Sequence, residues 1–221
     1  MRSKAINLTF HGVGEREREA EPGEDRTWLS LDSFTSVLDS VVDRPEVHIS
    51  FDDGNASDLT HGLPALVQRG LRGTFFVVAG RLGEPEFLDD RGVRALADAG
   101  MAIGCHGMRH RPWRRLGDDA LHEELVGARK VLESVVGRPV TEAACPFGSY
   151  DRRVLASLRR SGYRHVYTSD RGRSDPKAWL QPRNSVERDA GAAVVDEILS
   201  SERSAPRALG RQLRLAAKRW R

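Results

Sequence analysis

The chain has 221 residues, a length that suits a single domain. Hydrophobic residues make up 39% of it, which is enough for a packed core, and no apolar run approaches the length of a membrane span. The 35 basic and 32 acidic residues give a net charge of +3, so the charge balance does not indicate a nucleic-acid partner.

Segments with helix and strand patterns alternate along the chain. The helical segments fall at about residues 32–41, 59–67, 93–97, 121–135, 154–158 and 189–200. The strand segments fall at residues 5–10, 46–51, 73–78, 101–104, 143–145, 165–168 and 180–186. This alternation predicts an α/β domain with a parallel sheet of seven strands.

The strand predicted over residues 46–51 ends at two adjacent carboxylates, Asp52 and Asp53, which are followed by Gly54. Neighbouring side chains at a strand end can approach one site from different angles. One carboxylate could therefore bind a metal while the other stays free as a base. A simple turn is the alternative interpretation, because Asp-Gly is a common turn pair.

Two histidines, His106 and His110, lie four residues apart further along the chain. On a helical turn this spacing places both imidazoles on one face, close enough to share a cation. Two histidines and one carboxylate form a common ligand set for catalytic zinc that leaves a position open for water. A pair of solvated polar side chains would show the same spacing.

Three segments together resemble the polysaccharide deacetylases, also called the NodB-homology domain or carbohydrate esterase family 4. Residues 50–54, Ser-Phe-Asp-Asp-Gly, resemble the first motif of that family. Residues 106–110, His-Gly-Met-Arg-His, resemble the second, and residues 145–151, Cys-Pro-Phe-Gly-Ser-Tyr-Asp, resemble the third. The motifs occur in the order of the family, and the similarity extends over about residues 45–186.

The resemblance implies a fold, a reaction and a set of site residues. The fold would be a distorted (β/α)7 barrel of parallel strands with its site at the C-terminal strand ends, where such folds place their sites. Asp52 would be the catalytic base, and Asp53, His106 and His110 would hold a divalent metal, expected to be Zn²⁺. The reaction would be hydrolysis of the N-acetyl group of an amino sugar or polysaccharide.

The third motif of the family carries an arginine that orients the base, and the matching residue in this chain is Ala144. Arg183, near the start of the last predicted strand, is the candidate replacement. A solvated surface arginine is the alternative interpretation of this residue.

The general acid of the family is a histidine in a late Leu-x-His motif, but no histidine follows His165 in this chain. His11 stands at the end of the first predicted strand, and the first and last strands of a closed barrel are neighbours. We therefore expect His11 to supply the acid, in an arrangement that resembles a circular permutation. A histidine that caps a loop is the alternative.

Substrate contacts are expected from the third motif, namely Pro146, Phe147, Gly148 and Tyr150. A backbone N–H of this loop would stabilise the oxyanion. The two aromatic rings could form apolar walls under a sugar ring, and simple core packing is the alternative for each of them. Two other functions stay open. One is hydrolysis of a different carbon–nitrogen amide bond, and the other is metal-retaining carbohydrate binding without turnover.

Residues 1–203 are predicted to form the barrel, and residues 204–221 a basic and weakly amphipathic tail. The tail is interpreted either as a solvated helix or frayed end, or as a segment that contacts an anionic membrane surface. The first residues lack the long apolar region and the cleavage site of a signal peptide. A cytoplasmic location, free or at the membrane surface, is therefore expected.

Overall fold

A mostly parallel sheet forms the centre of the fold. The computed structural model describes residues 4–202 and residue 218. Its strands are β1 (Ala5–Phe10), β2 (Val47–Asp53), β3 (Gly73–Val77), β4 (Ala102–Cys105), β5 (Glu142–Ala144), β6 (His165–Thr168), β7 (Arg173–Ser174), β8 (Leu180–Pro182) and β9 (Asn184–Ser185). Their hydrogen-bonded order is β7-β1-β2-β3-β4-β5-β6-β8, and β9 pairs with β1. All of these pairs are parallel except β7 with β1, which is antiparallel.

The split strand β8/β9 nearly closes the sheet into a barrel. β8 pairs with β6 and β9 pairs with β1, so the residues on either side of Arg183 bridge the two ends of the sheet. Pro182 lacks a backbone N–H for the ladder, and the strand changes partner directly after it. Counted with β8/β9 as one position, the barrel has the seven parallel strands that were predicted. The one strand expected over residues 180–186 is in fact two, and β7 is an additional edge strand.

The helices are α1 (Leu31–Asp39), α2 (Leu63–Gln68), α3 (Asp90–Asp98), α4 (Asp118–His122), α5 (Ala128–Val136), α6 (Arg152–Arg160) and α7 (Val194–Glu202). Local sequence explains where three of them begin. Ser30, Asp89 and Asp151 precede α1, α3 and α6, and each side chain accepts a hydrogen bond from a backbone N–H of the first turn. Five-residue π-helical turns precede α2 and α5.

Apolar and polar side chains alternate along the strands and separate the outer core from the barrel interior. Phe10, Phe51 and Phe75 lie side by side on β1, β2 and β3, and Phe34 of α1 packs on two of them. The intervening residues, which include Thr9 and Ser50, are buried polar groups on the opposite face. The barrel interior is therefore polar on the side that leads to Asp52.

Among the described residues, no helix has the length and apolar character needed to cross a lipid bilayer. The tail predicted over residues 204–221 lies outside the described residues except for Lys218, whose ammonium is 2.7 Å from Asp170 Oδ1. Its proposed membrane contact, and the boundary at residue 203, stay predictions.

Candidate metal and catalytic site

The candidate residues converge at the C-terminal ends of the strands, as predicted. Asp52 and Asp53 end β2, and His106 follows β4 directly. His11 follows β1, and Arg183 stands between β8 and β9. Parallel strands bring these ends to one side of the barrel, so residues far apart in the sequence become neighbours.

The predicted metal ligands, Asp53, His106 and His110, form one group. Each offers one ligand atom, and these atoms all lie within 4.8 Å of one another. Asp53 Oδ1 is 3.0 Å from His110 Nε2 and 3.5 Å from His106 Nε2. His106 Nδ1 lies 2.9 Å from the carbonyl oxygen of Ala144. A proton on Nδ1 would be donated to that carbonyl, which leaves the lone pair of Nε2 directed at the group.

The group fits a divalent metal. Asp53 Oδ1 is buried and, within the described part of the chain, lacks a well-formed hydrogen bond. A buried carboxylate oxygen that meets imidazole nitrogens without a well-formed hydrogen bond is incompletely compensated, and a cation among the three ligand atoms would complete that compensation. Two imidazole nitrogens and one carboxylate oxygen suit Zn²⁺ and similar transition metals.

The protonation states of the group follow from burial and from its own charges. Burial lowers the pKa of His106 to about 4, so this imidazole is neutral at pH 7 and able to bind a metal. Burial acts to lower the pKa of His110 as well, but the facing Asp53 carboxylate outweighs it and the net shift is upward. For Asp53, burial opposes ionisation, yet His110 and the neighbouring histidines hold its pKa well below the usual range.

Backbone strain marks the same region. Asp53, His110 and Phe147 have φ angles of 77°, 46° and 56°, although none of them is glycine. A left-handed conformation at such residues costs about 1–3 kcal/mol each and persists only where the surrounding structure holds it. The strain therefore indicates that these backbone positions serve the site rather than local stability.

Arg183 forms a buried, two-pronged ion pair with Asp52. Its Nη1 and Nη2 lie 2.6 Å from Asp52 Oδ1 and 2.6 Å from Asp52 Oδ2, and its side chain is completely buried. Nη1 also donates to Thr9 Oγ1 at 3.0 Å and to Ser50 Oγ at 3.3 Å. Burial acts to raise the pKa of Asp52, but Arg183 and then His106 outweigh it, and the net shift is downward. Arg183 therefore occupies the place next to the candidate base that Ala144 cannot fill, and the alternative of a surface arginine is wrong.

His11 lies close to both carboxylates. For Asp52, burial and Arg183 have the larger effects on the pKa, and the charge of His11 lowers it further. For Asp53, burial and His110 have the larger effects, and the charge of His11 again lowers the pKa. Its Nδ1 is buried and has no hydrogen-bond partner within the described residues. The structure thus brings His11 to the site, and its role as the acid stays a prediction.

The third motif contributes one exposed aromatic side chain. Phe147 is 61% exposed, and its ring centroid lies 4.6 Å from that of His110. Pro146, Gly148 and Tyr150 are buried, and the Tyr150 hydroxyl donates to Asp170 at 2.5 Å. The Tyr150 ring is part of the core, so the structure favours the alternative of core packing for this residue.

Three buried or half-buried carboxylates near the site escaped sequence reasoning. Glu21 Oε2 lies 3.6 Å from His110 Nδ1, and Arg81 pairs with the same carboxylate.

Asp58 is fully buried and neither of its oxygens has a hydrogen-bond partner within residues 4–202. Burial, followed by the charges of Asp53 and Asp52, raises the pKa of Asp58 well above its usual value. The third carboxylate, Glu124, binds the backbone between the two histidines. No motif or periodicity in the sequence links these residues to the site.

Comparison with known proteins identifies related sequences. The family model described as polysaccharide deacetylase matches residues 39–166, which is more than half of the chain. The peptidoglycan-N-acetylglucosamine deacetylase of Bacillus cereus is 28% identical over 137 residues, which cover 62% of this chain and 61% of that protein. The first three curated relatives are covered over 45%, 55% and 61% of their lengths. The chain thus spans about half the length of the curated relatives it matches.

Solved structures share the fold. The Streptococcus pyogenes deacetylase PplD in complex with acetate has a TM-score of 0.79 and 17% identity, over 90% of this chain and 99% of that chain. A polysaccharide deacetylase from Bacillus cereus has a TM-score of 0.78 and 16% identity, over 89% of this chain and 69% of that chain. These likenesses confirm the predicted α/β fold with its nearly closed, mostly parallel barrel.

Proposed function

The chain belongs to the polysaccharide deacetylase family, and from this premise we propose that it is a metal-dependent hydrolase that removes the N-acetyl group from an amino sugar of a glycan. The observation that carries the proposal is the contact of Asp52 with Arg183 beside the group of Asp53, His106 and His110. Asp52 is held ionised by Arg183 and lies outside the ligand group, whereas the neighbouring Asp53 belongs to the ligand group.

Zn²⁺ held by Asp53, His106 and His110 would supply Lewis-acid chemistry, polarising the acyl oxygen and making water more acidic at neutral pH. Asp52 takes one proton from the attacking water, as a general base. Arg183 donates one hydrogen bond to each Asp52 oxygen. Each carboxylate oxygen has a second lone pair, which can accept the proton from water.

The leaving group needs a proton, and His11 supplies it in this proposal. The oxygen of water becomes bonded to the acyl carbon, the carbon–nitrogen bond breaks, and the protonated His11 delivers its proton to the departing amine. The products are acetate and a free amino sugar. Phe147 presents an exposed ring beside His110, on which the apolar face of a sugar could pack.

The experiment measures acetate release from N-acetylglucosamine oligomers and from peptidoglycan, before and after treatment with a chelator. We expect release that the chelator abolishes and added Zn²⁺ restores. Asp52→Asn should lose about 10²–10⁴-fold in kcat while keeping its metal, whereas Asp53→Asn should lose both metal and activity.

Comparison of Asp52→Asn with Asp53→Asn distinguishes the role of a general base from the role of a metal ligand. Equal metal loss in both variants would contradict the assignment of separate roles. Binding of the oligomers with no acetate release under any metal condition would instead support a carbohydrate-binding protein without turnover.

A further inference from the structure

Glu124 lies under the segment that joins His106 to His110. It belongs to the π-helical turn before α5, and its side chain is completely buried. Glu124 Oε2 accepts hydrogen bonds from the backbone N–H groups of Met108 at 2.8 Å and of Arg109 at 3.3 Å. Both N–H groups lie between the two histidines, so this one carboxylate binds the backbone that connects the candidate ligands.

The other carboxylate oxygen is held by a cation. Arg111 Nε donates to Glu124 Oε1 at 2.9 Å, and Arg111 directly follows His110 in the sequence. A buried carboxylate is costly unless hydrogen bonds and an opposite charge compensate it. All three donors come from residues 108–111, so the segment and the carboxylate depend on each other.

The shape of the segment is fitted to the carboxylate. Gly107 has a φ of 86°, and a Cβ atom at this position would overlap with Glu124 Oε2. His110 adopts a φ of 46° at the other end of the segment. Successive backbone N–H groups that converge on an anion form a concave arrangement, which here lies inside the protein. The conformation that presents both imidazoles is therefore stabilised from beneath by Glu124.

We propose that Glu124 is a positioning residue for the metal site, holding the His106–His110 backbone so that both imidazoles face the same cation. It offers no atom to the ligand group of Asp53, His106 and His110 and acts only through the backbone. The inference rests on the proposed function, because it assigns a role toward the metal that this function requires.

Glu124→Gln tests the role with little change in volume. The amide places an NH₂ group where an oxygen accepted hydrogen bonds, so it must face either the backbone N–H groups or Arg111. Residues that orient metal ligands typically change affinity by about 10–100-fold when mutated, and we expect a loss of that size. Glu123→Gln is the matched control, because Glu123 is the preceding residue and is exposed.

The measurement uses metal-free protein titrated with Co²⁺, with the visible absorption of the bound ion and competition by a chromophoric chelator as readouts. Circular dichroism and thermal unfolding of the metal-free variants report folding separately. The proposal is supported if Glu124→Gln folds as the wild type does, binds Co²⁺ about tenfold or more weakly, and shows an altered spectrum, while Glu123→Gln matches the wild type.

Other outcomes overturn it. Unchanged Co²⁺ affinity and spectrum in Glu124→Gln would show that the carboxylate does not position the ligands. If Glu124→Gln does not fold, Glu124→Asp decides, because it keeps the negative charge and withdraws the carboxylate from the backbone N–H groups of Met108 and Arg109. Unchanged Co²⁺ affinity in Glu124→Asp refutes the role. Absence of Co²⁺ binding by the wild type would contradict the proposed function itself, and this inference with it.

Discussion

The contact between Asp52 and Arg183 shows how two charges can be kept inside the barrel. Each oxygen of the carboxylate receives one guanidinium N–H, and Thr9 and Ser50 accept further hydrogen bonds from the same cation. A buried charge is tolerated only with such compensation, and removal of one partner leaves the other uncompensated. The pair therefore has consequences for both the stability and the pH dependence of the protein.

Arg183→Met should shift the acidic limb of the pH profile to higher pH. The pKa of Asp52 is lowered in the folded protein because Arg183 and then His106 outweigh burial, so loss of the guanidinium should raise this pKa. A base acts only when deprotonated, so kcat/KM should fall at pH 6 more than at pH 8. The measurement is kcat/KM against pH, with Arg26→Met as the control, since Arg26 pairs with Glu187 on the surface.

The same variant should be less stable at neutral pH. A carboxyl group whose pKa is lowered on folding stabilises the protein above its unfolded pKa, and that stability is lost as the pH falls through the folded pKa. Loss of Arg183 removes this contribution and leaves a buried charge, at a cost of about 3–5 kcal/mol. Denaturant unfolding at pH 7 would contradict the argument if the two proteins had equal free energies of unfolding.

Asp58→Asn should stabilise the metal-free protein at neutral pH. Burial and the nearby Asp53 and Asp52 raise the pKa of Asp58, so the unfolded state ionises at lower pH than the folded state. Wild-type stability is therefore present below the unfolded pKa of Asp58 and falls as the pH rises through the interval up to the folded pKa. Asparagine has a similar shape and no charge, so it avoids that loss. Asp58→Asn should therefore raise the free energy of unfolding by on the order of 1 kcal/mol or more at pH 8 and by little at pH 4. Denaturant unfolding of both proteins in chelator at the two pH values makes the comparison, and an equal difference at both would refute it.

At the scale of elements, the closure of the barrel assembles the site. β9 pairs with β1 and β8 pairs with β6, and the break between them carries Arg183 toward Asp52. The direct parallel pairing of β1 with β2 places the end of β1, and hence His11, beside the end of β2. An element at the start of the sequence can thus supply a group that the family motif expects near its end.

His11→Ala should abolish turnover and spare the metal. His11 is close enough to affect the pKa of Asp52 and Asp53, but it is outside the ligand group of Asp53, His106 and His110. We expect kcat to fall by about 10²–10⁴-fold while metal content stays at the wild-type value. His122→Ala, an exposed residue of α4, is the control. Near-normal turnover in His11→Ala would refute the acid assignment.

At the scale of the whole molecule, the metal should couple the site to global stability. The three ligand residues come from the ends of two strands and the segment after β4, so the complete group exists only in the folded state. A ligand that binds only the folded state at 100 times its Kd adds about 2.7 kcal/mol. For a chain of this size that corresponds to a rise in Tm of about 5–10 °C.

Calorimetry of the metal-free protein with and without Zn²⁺ checks this expectation. Asp53→Asn is the control, because it lacks one ligand and should show a much smaller shift. A Tm that does not respond to Zn²⁺ in the wild type would contradict the presence of a metal site formed by folding.

The sequence by itself determined the local parts of this protein. The order of strands and helices, the Asp52–Asp53 pair at a strand end and the spacing of His106 and His110 depend on residues within a few positions of one another. These patterns predicted an α/β domain with a parallel sheet. The barrel and the ligand set of Asp53, His106 and His110 were implied by the resemblance of the three motifs to the polysaccharide deacetylases. Comparison with the family motifs also identified Arg183 and His11 as candidates, because this chain lacks the arginine of the third motif and the histidine of the last one.

Only the tertiary structure decided which distant residues meet. The contact of Arg183 with Asp52 spans 131 residues, and whether that arginine lies on the surface or in the interior depends on how the last strand divides to close the barrel. The burial of Tyr150, the approach of Glu21 to His110 and the binding of the histidine segment by Glu124 likewise depend on packing between elements. Such contacts leave no local periodicity, because the hydrogen bonds and charges that stabilise them are completed by groups far away in the chain.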